Sequence, residues 1–294
     1  MARRFVFVGV TTSASSMVPI FPRWREALDL GDVELEGWDL PVGAPAARYR
    51  EAVMRLREEP NVAGALVTTH KLGLFQAAAD LFDELDEHAR RLGEVSCIAR
   101  RDGRLLGWAK DAISAGRALE AVTPTGYFAG GGHALVLGAG GAGGAVVERL
   151  LAAQPPPGRV IVTDRSRERL ERFAEVETRL TGDGTDVLAT LPPRSLIVNA
   201  TGMGKDVPGS PLAAGARFPP RSAVWELNYR GRREFLCQAR AQQDELRLEV
   251  EDGWRYFVVG WAAIIEEVFE RPISSAEVDR LAELAASDRP SAGA

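Results

Sequence analysis

Short apolar runs alternate with stretches of helical period from one end of the chain to the other, in the order strand, helix, strand, helix. Phe-Val-Phe-Val at 5–8 predicts a buried strand ended by Gly9, and a helix is expected around 23–30. Two more strands fall at 33–38 and 62–67. Between them lies a helix over 46–58, with Tyr49, Val53, Met54 and Leu56 at its apolar positions. The acid- and alanine-rich stretch 75–92 predicts one long helix. Residues 95–99 and 105–108 predict a hairpin about Arg101-Asp102-Gly103, because Asp-Gly favours a tight turn. A helix over 112–121 then leads into 124–132, a glycine-bearing linker and the expected domain boundary.

Beyond it, strands are expected at 134–137, 160–163, 195–199, 223–227 and 246–249. Helices are expected at 145–152, 168–180, 186–191 and 235–242. The apolar helix at 256–269 has no long polar face and is expected between layers. An amphipathic helix at 275–286 follows, and 287–294 is expected to be disordered.

One stretch in this second half carries chemistry of its own. The strand at 134–137 runs into Gly138, Gly140 and Gly143, spaced G-x-G-x-x-G. A helix follows, and then a second strand that ends on Asp164. Gly138 would allow the tight turn, Gly140 close approach of a pyrophosphate, and Gly143 close packing of helix on strand. The helix N-terminus would present N–H groups and partial positive charge to the phosphates. Alone, a glycine triplet is weak evidence. With both strands and the terminal acid in register it predicts dinucleotide binding.

At 294 residues the chain has room for two domains of roughly 100–200 residues each. A formal net charge of −5 and the lack of any Lys/Arg run argue against a nucleic-acid partner. Cys97 and Cys237 are too few and too far apart for a disulfide framework or a metal cluster, which makes a reducing cytoplasm the simplest setting. No apolar segment approaches a membrane span, and the basic-then-apolar N-terminus meets turn residues too soon for a signal peptide. Two further loops follow strands. The hydroxyl-dense segment 10–17 suits a polar ligand or is loop filler. Thr68-Thr69-His70-Lys71 ends in a lysine that, taken singly, reads as a surface cation.

Taken in order, these loops resemble motifs of the shikimate/quinate dehydrogenase family over nearly the whole chain. The counterparts are Ser13-Ala14-Ser15, Val67-Thr68-Thr69-His70-Lys71, Gly93-Glu94-Val95-Ser96-Cys97 and Ala109-Lys110-Asp111-Ala112. They continue with Gly138-Ala139-Gly140-Gly141-Ala142, Asp164-Arg165-Ser166, Asn199-Ala200-Thr201-Gly202-Met203-Gly204, Glu226-Leu227-Asn228-Tyr229 and 257–262. The resemblance implies an α/β protein of two domains with a cleft between them. Residues 1–120, completed by helices at 253–286, would be the substrate domain, and 124–250 a Rossmann-type nucleotide-binding domain. It implies an NAD(P)-dependent dehydrogenase in which Lys71 and Asp111 pair at the reacting hydroxyl of a cyclic hydroxy acid or cyclitol. Ser13, Ser15, Thr68 and Tyr229 would bind a substrate carboxylate, with Ser96 and Trp261 at the pocket wall. Gly138, Gly140, Gly141, Ala142, Gly143, Asp164, Arg165, Asn199, Thr201, Gly202 and Met203 would hold the cofactor. Monomer and homodimer both stay open.

Departures from the family pattern bear on specificity. Its hairpin-strand Asn is Ser96 here, the Asn of N-T-D-G is Ala109, and the Thr beside the acid is Lys110, an added cation. The late-helix Gln falls on Gly260 or Trp261, and V-T-x-P-x-K has lost its Pro and one residue. These changes put shikimate itself in question. Quinate, another cyclitol or an aminoshikimate-like ring, a catalytically silent dinucleotide-binding regulator, and a methylenetetrahydrofolate dehydrogenase all remain open. Asp164 favours NAD over NADP by repelling a 2′-phosphate, whereas Arg165, Arg167 and Arg169 supply what a phosphate would need.

Overall fold

Alternation along the first strand organises the first unit. In β1 (Arg3–Gly9), Phe5 and Phe7 meet Trp261 edge-on at 6.0 and 5.1 Å. Val6 and Val8 lie on the other face, in a core with Tyr49, Val53 and Leu56. A strand buried on both faces reads as an unbroken apolar run, as 5–8 does. The computed structural model describes residues 2–205 and 207–290. The chain forms two units, one of residues up to Asp111 together with Val258–Arg289, the other Ala112–Phe257.

Helix α1 (Met17–Ala27) starts earlier than expected. Its Met17, Ile20, Phe21 and Trp24 form a buried face at helical spacing, and Pro22 is accommodated inside it. Strand β2 (Val33–Asp39), α2 (Ala46–Glu58) and β3 (Val62–Val67) match the reading, except that Met54 is 43% exposed and outside the core. The expected long helix at 75–92 is instead α3 (Lys71–Ala78), a 3-10 turn, β4 (Glu84–Leu85) and α4 (Glu87–Leu92). Two of its acids, Asp83 and Asp86, are structural stops. Asp83 accepts from Leu105 N, and Asp86 caps α4 through Ala89 N, both at 2.7 Å. Strands β5 (Cys97–Arg101) and β6 (Arg104–Trp108) form the hairpin, with Asp102 and Gly103 at φ 50° and 76°. The sheet order is β2-β1-β3-β5-β6-β4. Strands β1, β2 and β3 are parallel, and β5 is antiparallel to both β3 and β6.

After α5 (Asp111–Val122), the stretch read as a linker is packed structure of the second unit. Tyr127 and Phe128 are buried, and the Tyr127 hydroxyl donates to Ser195 O and accepts from Ala223 N. Next come β7 (Ala134–Leu137), α6 (Gly141–Leu151), β8 (Val160–Asp164), α7 (Arg167–Leu170) and β9 (Glu177–Leu180). The helix expected over 168–180 is therefore one turn followed by a strand, because the edge of β8 takes a parallel backbone partner there. Helix α8 (Thr185–Leu188), β10 (Leu196–Asn199), β11 (Ala223–Glu226), α9 (Glu234–Arg240), α10 (Gln243–Leu246) and β12 (Glu249–Glu251) complete the unit. The closing strand thus starts after Leu246, which ends a short helix. All six strands are parallel in the order β12-β11-β10-β7-β8-β9. This is the doubly wound arrangement, with its reversal point between β7 and β10.

Helix α11 (Trp254–Val268) and α12 (Ser275–Ala285) follow, the latter started by a Ser274/Glu277 capping box. Of the tail expected to be disordered, Ser287 and Asp288 bond to Arg23. Residues 291–294 lie outside the described residues.

Candidate active site

In the first unit the loops after β1 and β3 leave the carboxyl ends of adjacent parallel strands, where connections diverge and ligands collect. The β1 loop is folded down by a residue the sequence reading passed over. Thr12 is buried, and its N–H and hydroxyl both donate to Asp39 Oδ1 at the end of β2 (2.8 and 2.7 Å). Gly37 makes room for it, since a Cβ there would lie 2.1 Å from Thr12 Oγ1. Ser13 is left exposed, while Ser15 is buried and its hydroxyl accepts from Met17 N (3.2 Å). Thr68 donates to Val8 O from both its N–H (3.0 Å) and its hydroxyl (3.3 Å).

Lys71 is the first residue of α3, and its ammonium donates to the Asp111 carboxylate at the start of α5. Both side chains are largely buried. Burial by itself disfavours the ammonium. The charges of Asp111 and Glu94, with the Asp111 hydrogen bond, outweigh it and raise the Lys71 pKa above its ordinary value. The neighbouring His70 is buried behind this pair, its Nδ1 3.0 Å from the Tyr49 hydroxyl, and burial lowers its pKa.

Two expectations for this unit need correction. Ser96 is fully buried, and its hydroxyl accepts from Lys110 N (2.8 Å), which joins β5 to the approach of α5 rather than facing a pocket. Trp261 is 4% exposed and packed against Phe5 and Phe7, so it is core and not pocket wall. Lys110, the added cation, pairs with Glu267 of α11, and Arg101 bonds the same carboxylate. That carboxylate holds the ammonium, which therefore joins α11 to the hairpin.

In the second unit the glycine turn lies at the reversal point. Gly138 has φ 108°, and a Cβ on it would sit 2.9 Å from the main chain of Ala200. A Cβ on Gly143 would lie 2.0 Å from Gly138 O, so helix and turn touch. Around Gly140 no atom comes within 4 Å of such a Cβ. The fold thus needs the first and third glycines, while the second faces open space at the start of α6, with Gly141 and Ala142 as its first residues.

The facing loop is held by side chains. Asn199 Oδ1 accepts from Thr201 N and Oγ1 (3.0 and 2.6 Å), and Thr201 Oγ1 accepts from Met203 N (3.2 Å). Gly202 is exposed at its tip. Behind it Glu226 is fully buried, accepting from Asn199 Nδ2, Asn228 N and Asn228 Nδ2 (2.7, 2.8 and 2.7 Å). Burial pushes its carboxyl up to about 8 against those hydrogen bonds. Tyr229 is partly exposed and lies 4.3 Å from the Phe257 ring; Arg233, buried and paired with Asp252, donates to its carbonyl. Asp164 ties β8 to the glycine turn: Oδ2 accepts from Ala139 N and Oδ1 from Ser166 N, each at 2.8 Å. Arg165, Arg167 and Arg169 are exposed, with Arg169 4.0 Å from Asp164. Among the described residues no cluster of His, Cys, Asp or Glu could hold a metal ion, and no helix is long and apolar enough to cross a membrane.

A doubly wound parallel sheet with this turn, and a second α/β unit carrying a lysine–carboxylate pair at a strand end, define a nicotinamide-dependent oxidoreductase of two-unit build. Comparison with known proteins is specific. No protein-family model matches the sequence. Over 240 residues the chain is 33% identical to a shikimate dehydrogenase (NADP(+)) of Thermus thermophilus, covering 81% of this chain and 83% of that one. Against the Geobacillus kaustophilus shikimate dehydrogenase (NADP(+)) identity is 42%, over 80 residues and 27% of each chain. The crystal structure of a Thermus thermophilus shikimate 5-dehydrogenase with NADP(H) and shikimate superposes with a TM-score of 0.73. It is 27% identical and covers 97% of this chain and 100% of that one. The chain belongs to the shikimate dehydrogenase family.

Proposed function

We propose that this protein transfers a hydride between a nicotinamide and a ring hydroxyl or ketone of a cyclic hydroxy acid, with Lys71 and Asp111 handling the proton on oxygen. The buried Lys71–Asp111 pair at the end of β3 carries the reading. A bound nicotinamide dinucleotide supplies the hydride acceptor or donor, held by the loops at Gly138–Gly143 and Asn199–Met203. The chain's own residues do the acid–base work. With its pKa raised, Lys71 rests as the ammonium and can donate a proton to a ketone oxygen as it becomes hydroxyl. Asp111 fixes the ammonium in place and accepts from the substrate. In the oxidation direction the same lysine must first lose its proton, so that direction is favoured by alkaline solution. Thr68 and Ser13 supply hydroxyls for a substrate carboxylate.

The positions the family motif gives to two asparagines are Ser96, engaged with Lys110 N, and Ala109, fully buried. A ring hydroxyl lacking its hydrogen-bond partner is strongly disfavoured, which favours a ring pattern other than that of shikimate. Asp164 remains at the end of β8 where the adenosine ribose is bound in such sheets. Its charge favours NAD over NADP, with Arg165 as the opposing group. Nicotinamide absorbance followed over shikimate, quinate, aminoshikimate-like acids and cyclitols tests the reading. Turnover of one cyclic hydroxy acid is expected. Flat traces with every alcohol, alongside measurable dinucleotide binding, would instead identify a silent regulator.

A further inference from the structure

The connection between α4 and β5 carries a side chain that the chemistry above leaves unassigned. Gly93 ends α4 in the left-handed region (φ 62°), and Glu94 N then donates to Ala89 O. Val95 N donates to Lys71 O (3.3 Å), so this turn lies against the first residue of α3. Glu94 is 0% exposed, and it stands where the family's G-A-x-N-T motif has alanine. A buried carboxylate requires a cation or a proton beside it. Lys71, one of three lysines in the chain, has its carbonyl bonded by the residue after Glu94 and is the cation this turn lies against; the Glu94 charge acts on it.

We propose that Glu94 is a positioning residue of the proton-transfer site, acting through Lys71: together with Asp111 it holds the ammonium between two carboxylates from different elements. The proposal rests on the reading of Lys71 as the proton-handling group. The charged groups acting on Lys71 are Asp111, from the start of α5, and Glu94, from the α4–β5 connection. His70, next in the chain, is bonded to Tyr49, and burial favours its neutral form. The ammonium thus donates to Asp111, while the buried Glu94 acts on it through its charge. Loss of the ammonium proton would leave two carboxylates on a neutral amine, so Glu94 keeps Lys71 charged as a proton donor and opposes its use as a base. Glu94→Gln removes one negative charge with little change of shape.

The test uses the full chain, with Glu94→Gln and with Glu94→Ala, the small residue of the family motif, as a second variant should the first fail to fold. Alcohol oxidation and ketone reduction are measured from about pH 6 to about pH 11, a range that brackets the ordinary lysine value. In parallel, Lys71 is titrated directly by NMR of labelled lysine side chains, where three lysines give an assignable spectrum. The alkaline rise of oxidation and the Lys71 titration are both expected to move down by about one pH unit or more, the effect of losing one nearby opposite charge. Dinucleotide affinity is expected to stay unchanged. A folded variant whose pH profile and Lys71 titration superimpose on the wild type overturns the proposal. A Lys71 titration that moves while neither wild type nor variant turns over any cyclic hydroxy acid overturns the functional reading instead, and leaves the hold of Glu94 on the ammonium standing.

Discussion

Alanine at the second and third glycines of the turn separates a glycine required by the protein from one required by its ligand. At Gly143 the new Cβ would lie 2.0 Å from Gly138 O and 3.1 Å from Gly138 C, both main-chain atoms. Helix propensity returns about 1 kcal/mol for glycine to alanine. Overpacking against a backbone that cannot swing away costs about 3 kcal/mol, the upper end of the usual range. The net loss is about 2 kcal/mol, or roughly 5 °C in Tm for a unit of this size. Gly140 differs: its φ −78° and ψ −171° suit any residue, and a Cβ there meets nothing within 4 Å. Gly140 is the N-cap of α6, where alanine caps less well than glycine; this offsets the gain of about 0.4–1 kcal/mol through the unfolded chain, so stability is expected to change by less than about 1 kcal/mol. The alanine methyl group occupies the space at the start of α6, and dinucleotide binding is expected to weaken at least about tenfold, or 1.4 kcal/mol. Thermal unfolding of the ligand-free protein and a fluorescence titration with dinucleotide read the two effects separately. Undiminished binding by Gly140→Ala, or a thermally neutral Gly143→Ala, would refute the division of roles.

Two other outcomes follow from charge. Asp164→Asn is expected to shift the kcat/KM ratio toward NADP by about tenfold or more, as the negative charge at the end of β8 is removed; a wild type that prefers NADP and does not shift would show that the arginines govern the site. The Glu226 carboxyl has an ordinary value of 4.5 and is held at about 8 in the fold, so the folded state binds more protons between those values. Its contribution to stability is therefore complete below about pH 4.5 and declines as pH rises through about 8. Tm should fall across that window in the wild type, and Glu226→Gln should flatten the slope; an unchanged slope would remove Glu226 as its source.

Most strands and the glycine turn were legible because their signals are local. Val62–Val67 is apolar throughout, Asp102-Gly103 fixes a hairpin, and Gly138 answers to its own φ and to Ala200. The breaks inside 75–92 were not legible, since Asp83 and Asp86 stop the helix through partners at Leu105 and Ala89, the first of them far along the chain. Likewise β9 is specified by the open edge of β8 more than by its own residues. At the site, motif order picked out Lys71 and Asp111, which the structure pairs, but it could not tell which way a side chain faces. Ser96 and Trp261 occupy motif positions and turn into the structure. Thr12 was missed because it lies outside the motif segments, and Glu94 because it departs from the residue the motif has at its position. An acid standing where the motif has alanine was the available signal for Glu94.

Turnover by Lys71→Ala and Asp111→Asn, measured beside wild type on the cyclic hydroxy acid that the panel identifies, tests the proton-transfer pair most directly. Each substitution should lower kcat by at least about a hundredfold, the usual size of a lost acid–base group, while dinucleotide affinity stays at the wild-type level. Near-normal turnover in either variant would show that the pair only joins α3 to α5 and that the proton is handled elsewhere.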